Sequence, residues 1–398
     1  MSSMLSAKHE ELIIGLRRRL HETPELAHNE FETSKILTEA FAELGLEVRK
    51  IRGSTGFVAD IVTSRNSPTI ALRADMDGLA VQEKKGSGCR SINEGKMHAC
   101  GHDGHMAIVF GAALMLTSLK NRLKGNVRFI FQPAEEEATV GGAREIISGG
   151  GLEGVDCILG LHLWPELPEG VVGYHYGPFF AGLNRFTIAI KGKKFHTARP
   201  DLTSDAITAA IQIVHGINGL VNKRSYPWSP HTVTIHSINS NGVAATINGI
   251  ISSSAFNPAK VAIQPAMDLE RIKKTMTNLV DSTCNLYGIR GSIAIKEGYP
   301  PLVTEDSVTS VVVNTIKRVL GEENAIESPG TLGGEDFSIY LKTVPGTYLL
   351  FGIYNKMLGH TSMLHTPGFS FNEKILAKSA FLMKEAVLDL IDNKSWIP

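Results

Sequence analysis

No uninterrupted apolar run in this chain approaches the roughly 18 residues that a membrane-spanning helix requires. The N-terminal stretch MSSMLSAKHEELIIGLRRRL lacks the apolar core and small-residue ending of an export signal. Cysteine is scarce: Cys89, Cys100, Cys157 and Cys284 are the only four, too few for a disulfide scaffold. These absences predict a cytoplasmic protein with no membrane partner. An excess of charge of either sign is missing too, since 40 basic residues cancel 40 acidic ones. With no basic block and no basic stripe interleaved with aromatics, nucleic acid is not an expected partner. Internal repeats and low-complexity segments are also lacking.

What is present is length and glycine. A chain of 398 residues exceeds one ordinary core, which predicts two domains or one large domain with an insertion. The 43% hydrophobic and 20% charged content is an ordinary globular balance. The 39 glycines suit a fold with many tight strand-to-helix turns. Leu12, Leu16 and Leu20 recur at helical spacing within residues 8–21, and Thr23-Pro24 ends that helix. A second periodic stretch, 30–44, stops at Gly45. Residues 56–62 and 69–73 are strand-like, and TIALRA is almost continuously apolar, as a strand covered on both faces should be. Residues 106–119 predict an apolar helix, 127–131 (VRFIF) a buried strand, 143–148 part of a helix and 157–163 (CILGLHL) another strand. This alternation predicts an α/β fold built on a doubly wound, mostly parallel sheet, with ligands at the carboxyl ends of its strands.

From about residue 181 the texture changes. Residues 185–191 (RFTIAIK) and 232–238 alternate polar and apolar, 205–220 is amphipathic, and 268–286 is a long helix with Asp268 as N-cap and Gly288 at its end. That pattern predicts a small inserted α+β domain. Beyond residues 298–301 the doubly wound texture returns, with helices over 307–320 and 372–392 and a strand over 347–352. The expected division is 1–181 and 297–398 for the larger domain and 182–296 for the insertion.

The stretch MHACGHDGHMA (97–107) gathers His98, Cys100, His102, Asp103 and His105. Cys100 and His102 are two apart, so in an extended segment they point to one side. Thiolate and imidazole both suit zinc or a similar ion. Alone, such a pair is a weak signal, and its partners must come from elsewhere. The run PAEEE (133–137) directly follows VRFIF. Neighbouring carboxylates need water or cations to neutralise them. Because adjacent side chains diverge, one glutamate can bind metal while the next faces a water, which separates ligand from general base. His162, in GLHLWP, ends an apolar strand, and His365, in MLHTPGF, follows the last one. Singly, each is more often a core histidine. Taken together, Cys100, His102, Glu136, His162 and His365 fall at the expected edge of the sheet and suit two divalent ions about 3.5–4 Å apart. Asp75 and Asp77, in ALRADMD, either orient ligand histidines or form a turn after a strand.

At this point the chain resembles the metallopeptidase superfamily of aminoacylases and zinc exopeptidases. Within it the likeness is to the N-acyl-amino-acid amidohydrolases, which include hippurate hydrolase and the plant auxin-conjugate hydrolases. The matching stretches are LRRRLHETPELAHNE (16–30), ALRADMDGL (71–79), MHACGHDGH (97–105), FQPAEEE (131–137), GLHLWP (160–165), LGGEDFSIYL (332–341) and LHTPGF (364–369). The resemblance implies Cys100, His102, Glu136, His162 and His365 as ligands of a two-metal site, and Glu135 as general base. It further implies that the inserted domain is a lid that closes over the substrate and forms a homodimer, with His196 of KGKKFHTARP (191–200) matching a histidine that, from one subunit's lid, helps bind the substrate and the developing oxyanion in the other subunit's site. Two departures stand out. Lys194-Phe195 replaces the usual Gly-Gly before the lid histidine, and ATINGIISSSAF (245–256) replaces a turn and a strand carrying an arginine. That arginine would pair with the carboxylate of an amino-acid product, and Ser254 or Ala255 stands in its place.

The expected activity is hydrolysis of the amide bond of a small N-acyl amino acid or related N-acyl amine. A mixed Cys/His/Glu set accepts zinc, manganese, cobalt or nickel. One rival is a cysteine hydrolase with Cys100 as nucleophile and His102 as base, whose parallel side chains are poorly placed for proton transfer. Others are a metallo-carboxypeptidase or dipeptidase acting on short peptides, and a non-catalytic binding protein with an altered lid.

Overall fold

The computed structural model describes residues 6–64, 67–84, 88–137, 141–193, 198, 205–224, 230–254 and 269–396. His196, Lys194, Phe195, Ala255 and Asp268 lie outside that set. The chain forms two compact units. The first comprises Met1–Gly177, Thr304–Pro329 and Ile339–Pro398, and the second Pro178–Val303 with Gly330–Ser338.

The first unit opens with helices α1 (Ala7–Glu22) and α2 (Phe31–Glu43), followed by strands β1 (Val48–Lys50), β2 (Phe57–Ile61) and β3 (Thr69–Asp75). Helix α3 (His102–Ser118), β4 (Asn126–Gln132), α4 (Gly142–Ser148), β5 (Cys157–Pro168) and β6 (Val172–Tyr174) complete its first part. In the second unit lie β7 (Gly177–Phe180), β8 (Gly182–Lys191), α5 (Ala206–Gly216), β9 (His231–Ser240), β10 (Ala244–Ser253), α6 (Leu269–Leu286) and β11 (Arg290–Tyr299). After β12 (Leu302–Thr304) the first unit resumes with α7 (Asp306–Leu320), β13 (Ala325–Glu327), β14 (Gly346–Tyr354) and α8 (Lys374–Asp392).

The first unit is built on an eight-stranded sheet of order β1-β2-β4-β3-β5-β14-β6-β13. Strands β4, β3, β5 and β14 are mutually parallel, while β1, β2 and the β14–β6 pair run antiparallel at the flanks. The sheet is thus parallel through its centre and mixed at its margins. Only the central strands need burial on both faces, and they read that way: β3 is buried from Ile70 to Asp75 and β14 from Gly346 to Ile353. Helix α3 packs against α1, α8 and β3. Its first 12 residues are all buried, so it shows no polar stripe.

The second unit has a four-stranded antiparallel sheet of order β11-β8-β10-β9. In β8, buried Phe186, Ile188 and Ile190 alternate with exposed Arg185, Thr187 and Lys191, as a sheet covered on one face demands. Ile272, Met276 and Val280 on α6, and Ala206, Ala210 and Ile213 on α5, share its core at helical spacing.

Candidate metal centre

Because β3, β4, β5 and β14 run the same way, their carboxyl ends meet at one edge of the sheet, where α/β folds bind ligands. Asp75 ends β3 and Asp77 follows it; Glu135 and Glu136 follow β4; His162 lies within β5; His365 lies beyond β14. Cys100 and His102 flank Gly101, whose φ of 89° caps the start of α3. Side chains rarely tolerate that conformation, and glycine accepts it freely. The helix therefore begins at His102, four residues before its apolar periodicity does. His365 itself has φ 61°, pinned by its N–H donating to Ala99 C=O at 2.8 Å.

These elements bring the donors together. Cys100 Sγ lies 3.3 Å from His162 Nε2 and 3.3 Å from His365 Nε2. His365 Nε2 is 3.2 Å from Glu136 Oε1. His102 Nε2 stands 3.9 Å from Glu136 Oε1 and 4.0 Å from Glu135 Oε2. Cys100, His102 and His162 form one group whose ligand atoms all lie within 4.8 Å, and Cys100, Glu136 and His365 form another. Cys100 belongs to both, so the five donors make one connected cluster. Cys100, His102 and His162 are buried, whereas the His365 side chain is 51% exposed at the rim.

The hydrogen bonds around the cluster determine which nitrogens face inward. His162 Nδ1 donates to Leu163 C=O at 2.8 Å and His102 Nδ1 to Asp77 C=O at 2.8 Å, so in each ring Nε2 is the nitrogen aimed at the cluster, and it carries the lone pair whenever the ring is neutral. His105 differs. The Leu163 N–H can only donate, and it reaches His105 Nε2 at 2.9 Å, so that nitrogen must accept. Its Nδ1–H therefore donates to Asp75 Oδ1 at 2.7 Å, and Asp75 Oδ2 accepts from Arg73 at 2.7 Å. Although Asp75, His102 and His105 lie close enough to share an ion, both His105 nitrogens are committed elsewhere. Asp103 is occupied likewise, with Arg17 at 2.8 Å and His21 at 2.7 Å.

The electrostatics fit divalent cations. Burial first, then the Glu136, Glu135 and Asp75 charges, push the Cys100 thiol well above its ordinary range. Burial alone would lower His102, yet Asp75, Asp77 and Glu136 overturn that and raise it to about 10. Burial and His105 hold His162 well below 6.5. A site that keeps its thiol protonated and forces a proton onto a buried imidazole has an anionic surplus that a cation would relieve. The buried His102 Nε2 also lacks a hydrogen-bond partner among the described residues, Glu136 Oε1 standing 3.9 Å away. A buried ring nitrogen left without a partner and facing the other donors is an atom that a cation at this place would satisfy.

Single-residue spacing did not single out Arg73 or the Leu163 backbone. Arg73 is fully buried, an unusual place for guanidinium, and its position inside TIALRAD is the only local signal.

Residues 71–389 match Peptidase family M20/M25/M40. The chain is 35% identical over 373 residues to thermostable carboxypeptidase 1 of Saccharolobus solfataricus, covering 93% of each. It is 32% identical to N-acetyl-L-cysteine deacetylase of Bacillus subtilis, over 96% of this chain and 89% of that one. A crystal structure described as a dinuclear metal-binding peptidase of the M20 family, from Bacillus subtilis, superposes with TM-score 0.78 and 30% identity over 96% of this chain and 99% of that one. With the family match spanning most of its length and such relatives aligned nearly end to end, the chain belongs to peptidase family M20/M25/M40.

Proposed function

We propose that this protein is a metal-dependent amidohydrolase cleaving the amide bond of small N-acyl amino acids or related N-acyl amines. The observation that carries the reading is the convergence of Cys100, His102, Glu136, His162 and His365 with Glu135 beside them. We assign these five as ligands of two divalent ions drawn from zinc, manganese, cobalt or nickel. When bound, such ions supply Lewis acidity, making water a stronger acid and the amide carbonyl a better electrophile. The Glu135 carboxylate takes the proton from that water and returns it to the amide nitrogen as the bond breaks. Asp77 and Leu163 hold the His102 and His162 rings through Nδ1, so that each Nε2 is the atom turned toward the ion it would bind. His196 donates to the developing oxyanion.

In this reading residues 1–181 and 297–398 form the catalytic domain and 182–296 a lid that also pairs two subunits. All four cysteines are free, and a reducing cytoplasm keeps the Cys100 thiol available as a ligand. A second reading, a carboxypeptidase acting on short peptides, is favoured by the 35% identity to a carboxypeptidase.

One assay separates the readings. Purified protein is offered N-acetyl and N-benzoyl amino acids, their carboxamide counterparts, and dipeptides, before and after chelation. The proposal expects turnover of N-acyl substrates that chelation abolishes and added metal restores. Cleavage of dipeptides alone favours the second reading. Activity that survives chelation would instead point to Cys100 as nucleophile.

A further inference from the structure

Residues 23–30 connect α1 to α2 and supply none of the five donors of the metal cluster, yet Glu30 is fully buried, at 0% exposed. A carboxylate is seldom buried unless its oxygens are occupied. Glu30 Oε1 accepts the N–H of Ala134 at 2.8 Å and that of His28 at 2.9 Å, and Oε2 accepts the Thr55 hydroxyl at 2.7 Å. Ala134 directly precedes Glu135 and has φ 51°, a left-handed conformation that a side chain disfavours.

The next two amides are held in the same way. Glu135 N–H donates to Asp77 Oδ1 and Glu136 N–H to Asp77 Oδ2, each at 3.0 Å. Beyond them, the Glu137 carboxylate meets His28 Nε2 at 3.1 Å. Behind the turn, a Cβ on Gly142 would stand 1.8 Å from the Pro133 carbonyl oxygen, so only glycine permits this closeness. Three successive amides, 134 to 136, therefore end on carboxylates from two distant segments rather than on a ladder. Fixing those amides fixes the backbone dihedrals, and with them the directions in which Glu135 and Glu136 leave the chain.

We propose that Glu30 is a positioning residue that, together with Asp77, locks the left-handed Ala134 turn and so aims Glu135 and Glu136 at the metal cluster. The proposal rests on the roles assigned above to those two glutamates. It gives the 16–30 stretch, which contributes no ligand, a part in the chemistry. A merely structural Glu30, fastening α2 to the sheet, would affect unfolding without affecting the turn.

The test uses the full chain with Glu30→Gln, Glu30→Asp and Glu30→Ala, and Ala134→Gly alone and combined with Glu30→Ala. Zinc affinity is read by equilibrium dialysis against a chelator, the Ala134 amide by hydrogen exchange, and kcat and KM by N-acyl amide turnover. Glu30→Gln keeps an acceptor for both amides, and its NH2 can donate to Thr55, so it retains zinc affinity and amide protection. Glu30→Ala lowers zinc affinity about 10–100-fold, the usual range for losing a support of a metal ligand, and lowers kcat far more than it changes KM. Glu30→Asp, too short to span Ala134 and Thr55, shifts both in the same direction should the alanine variant fail to fold. Adding Ala134→Gly to Glu30→Ala recovers at least about tenfold in zinc affinity, because glycine adopts the left-handed conformation unaided. Unchanged zinc affinity and Ala134 protection in Glu30→Ala and Glu30→Asp, or no recovery with glycine, overturns the proposal. Should the wild-type protein cleave no N-acyl amide, the amidohydrolase reading fails by itself, while dialysis and hydrogen exchange still decide the role of Glu30.

Discussion

At the residue scale, the site separates side chains that carry lone pairs inward from those that only hold them there. Cys100 and His102 announce themselves by type and spacing, and so does the Glu run. Which histidine of the CGHDGH stretch faces the cluster does not. What takes His105 Nε2 out of the cluster is a bond from the Leu163 N–H, 58 residues away, and no local pattern encodes that contact. Glu135 and Glu136 are distinguished just as finely. Glu136 Oε1 lies 3.9 Å from His102 and 3.2 Å from His365, whereas Glu135 Oε2 stands 4.0 Å from His102. Glu135→Gln removes the proton acceptor while keeping size and shape. It should leave metal content at the wild-type level and lower kcat by about 10²–10⁴-fold, the usual worth of a general base. Metal analysis beside steady-state kinetics checks this, and wild-type kcat in that variant would remove Glu135 from the mechanism.

At the element scale, α1 and α3 are tied by a buried charge network. Arg17 reaches Asp103 at 2.8 Å, and His21 joins Asp103 at 2.7 Å to Glu83 at 3.2 Å. Burial and the Arg17 cation both lower the His21 pKa, but the Asp103 and Glu83 carboxylates outweigh them and leave it raised above 6.5. A raised folded-state value means that protonated His21 stabilises the fold. Its contribution is fully present below about pH 6.5 and fades as pH rises through the raised value. His21→Gln should therefore lower the unfolding midpoint most near pH 6, by the equivalent of about 1.5–3 kcal/mol for a charge-assisted hydrogen bond. The gap between variant and wild type should narrow toward alkaline pH. Thermal unfolding across pH 5–9 reads this directly, and a gap that widens with pH would refute the assignment. The elements themselves were largely legible where one physical signal dominated: apolar runs marked β3, β4 and β14, and leucine spacing marked α1. They were not where signals mixed. The first turn of α3 is written in glycine, histidine and aspartate, so periodicity places its start late. Strand β11, RGSIAIKEGY, buries only its last two residues, which leaves too shallow an alternation to mark it.

At the scale of the whole molecule, the second unit carries two exposed features that a second copy could cover. The strands at the two edges of its sheet differ in chemistry. Strand β11 bears Arg290, Lys296 and Glu297, charges of the kind that keep an edge from pairing, while β9, HTVTIHSINS, bears no Lys, Arg, Asp, Glu or Pro. On α5, Ile207 and Ile211 stand one turn apart and are 44% and 47% exposed, and Ile238 on β9 is 49% exposed. Exposed isoleucines and an unguarded edge in one unit are costly in water, and pairing with a like surface removes both costs at once. The proposed homodimer therefore predicts that Ile211→Asp combined with Ile238→Lys shifts the protein from dimer to monomer at micromolar concentration, as read by sedimentation. Neither position lies in the first unit, so metal content should be unchanged. If His196 serves the partner's site, the monomeric variant should bind zinc as the wild type does and yet lose turnover. A variant that becomes monomeric and keeps full activity would detach His196 from the partner's chemistry, and a monomeric wild type would dismiss the dimer itself.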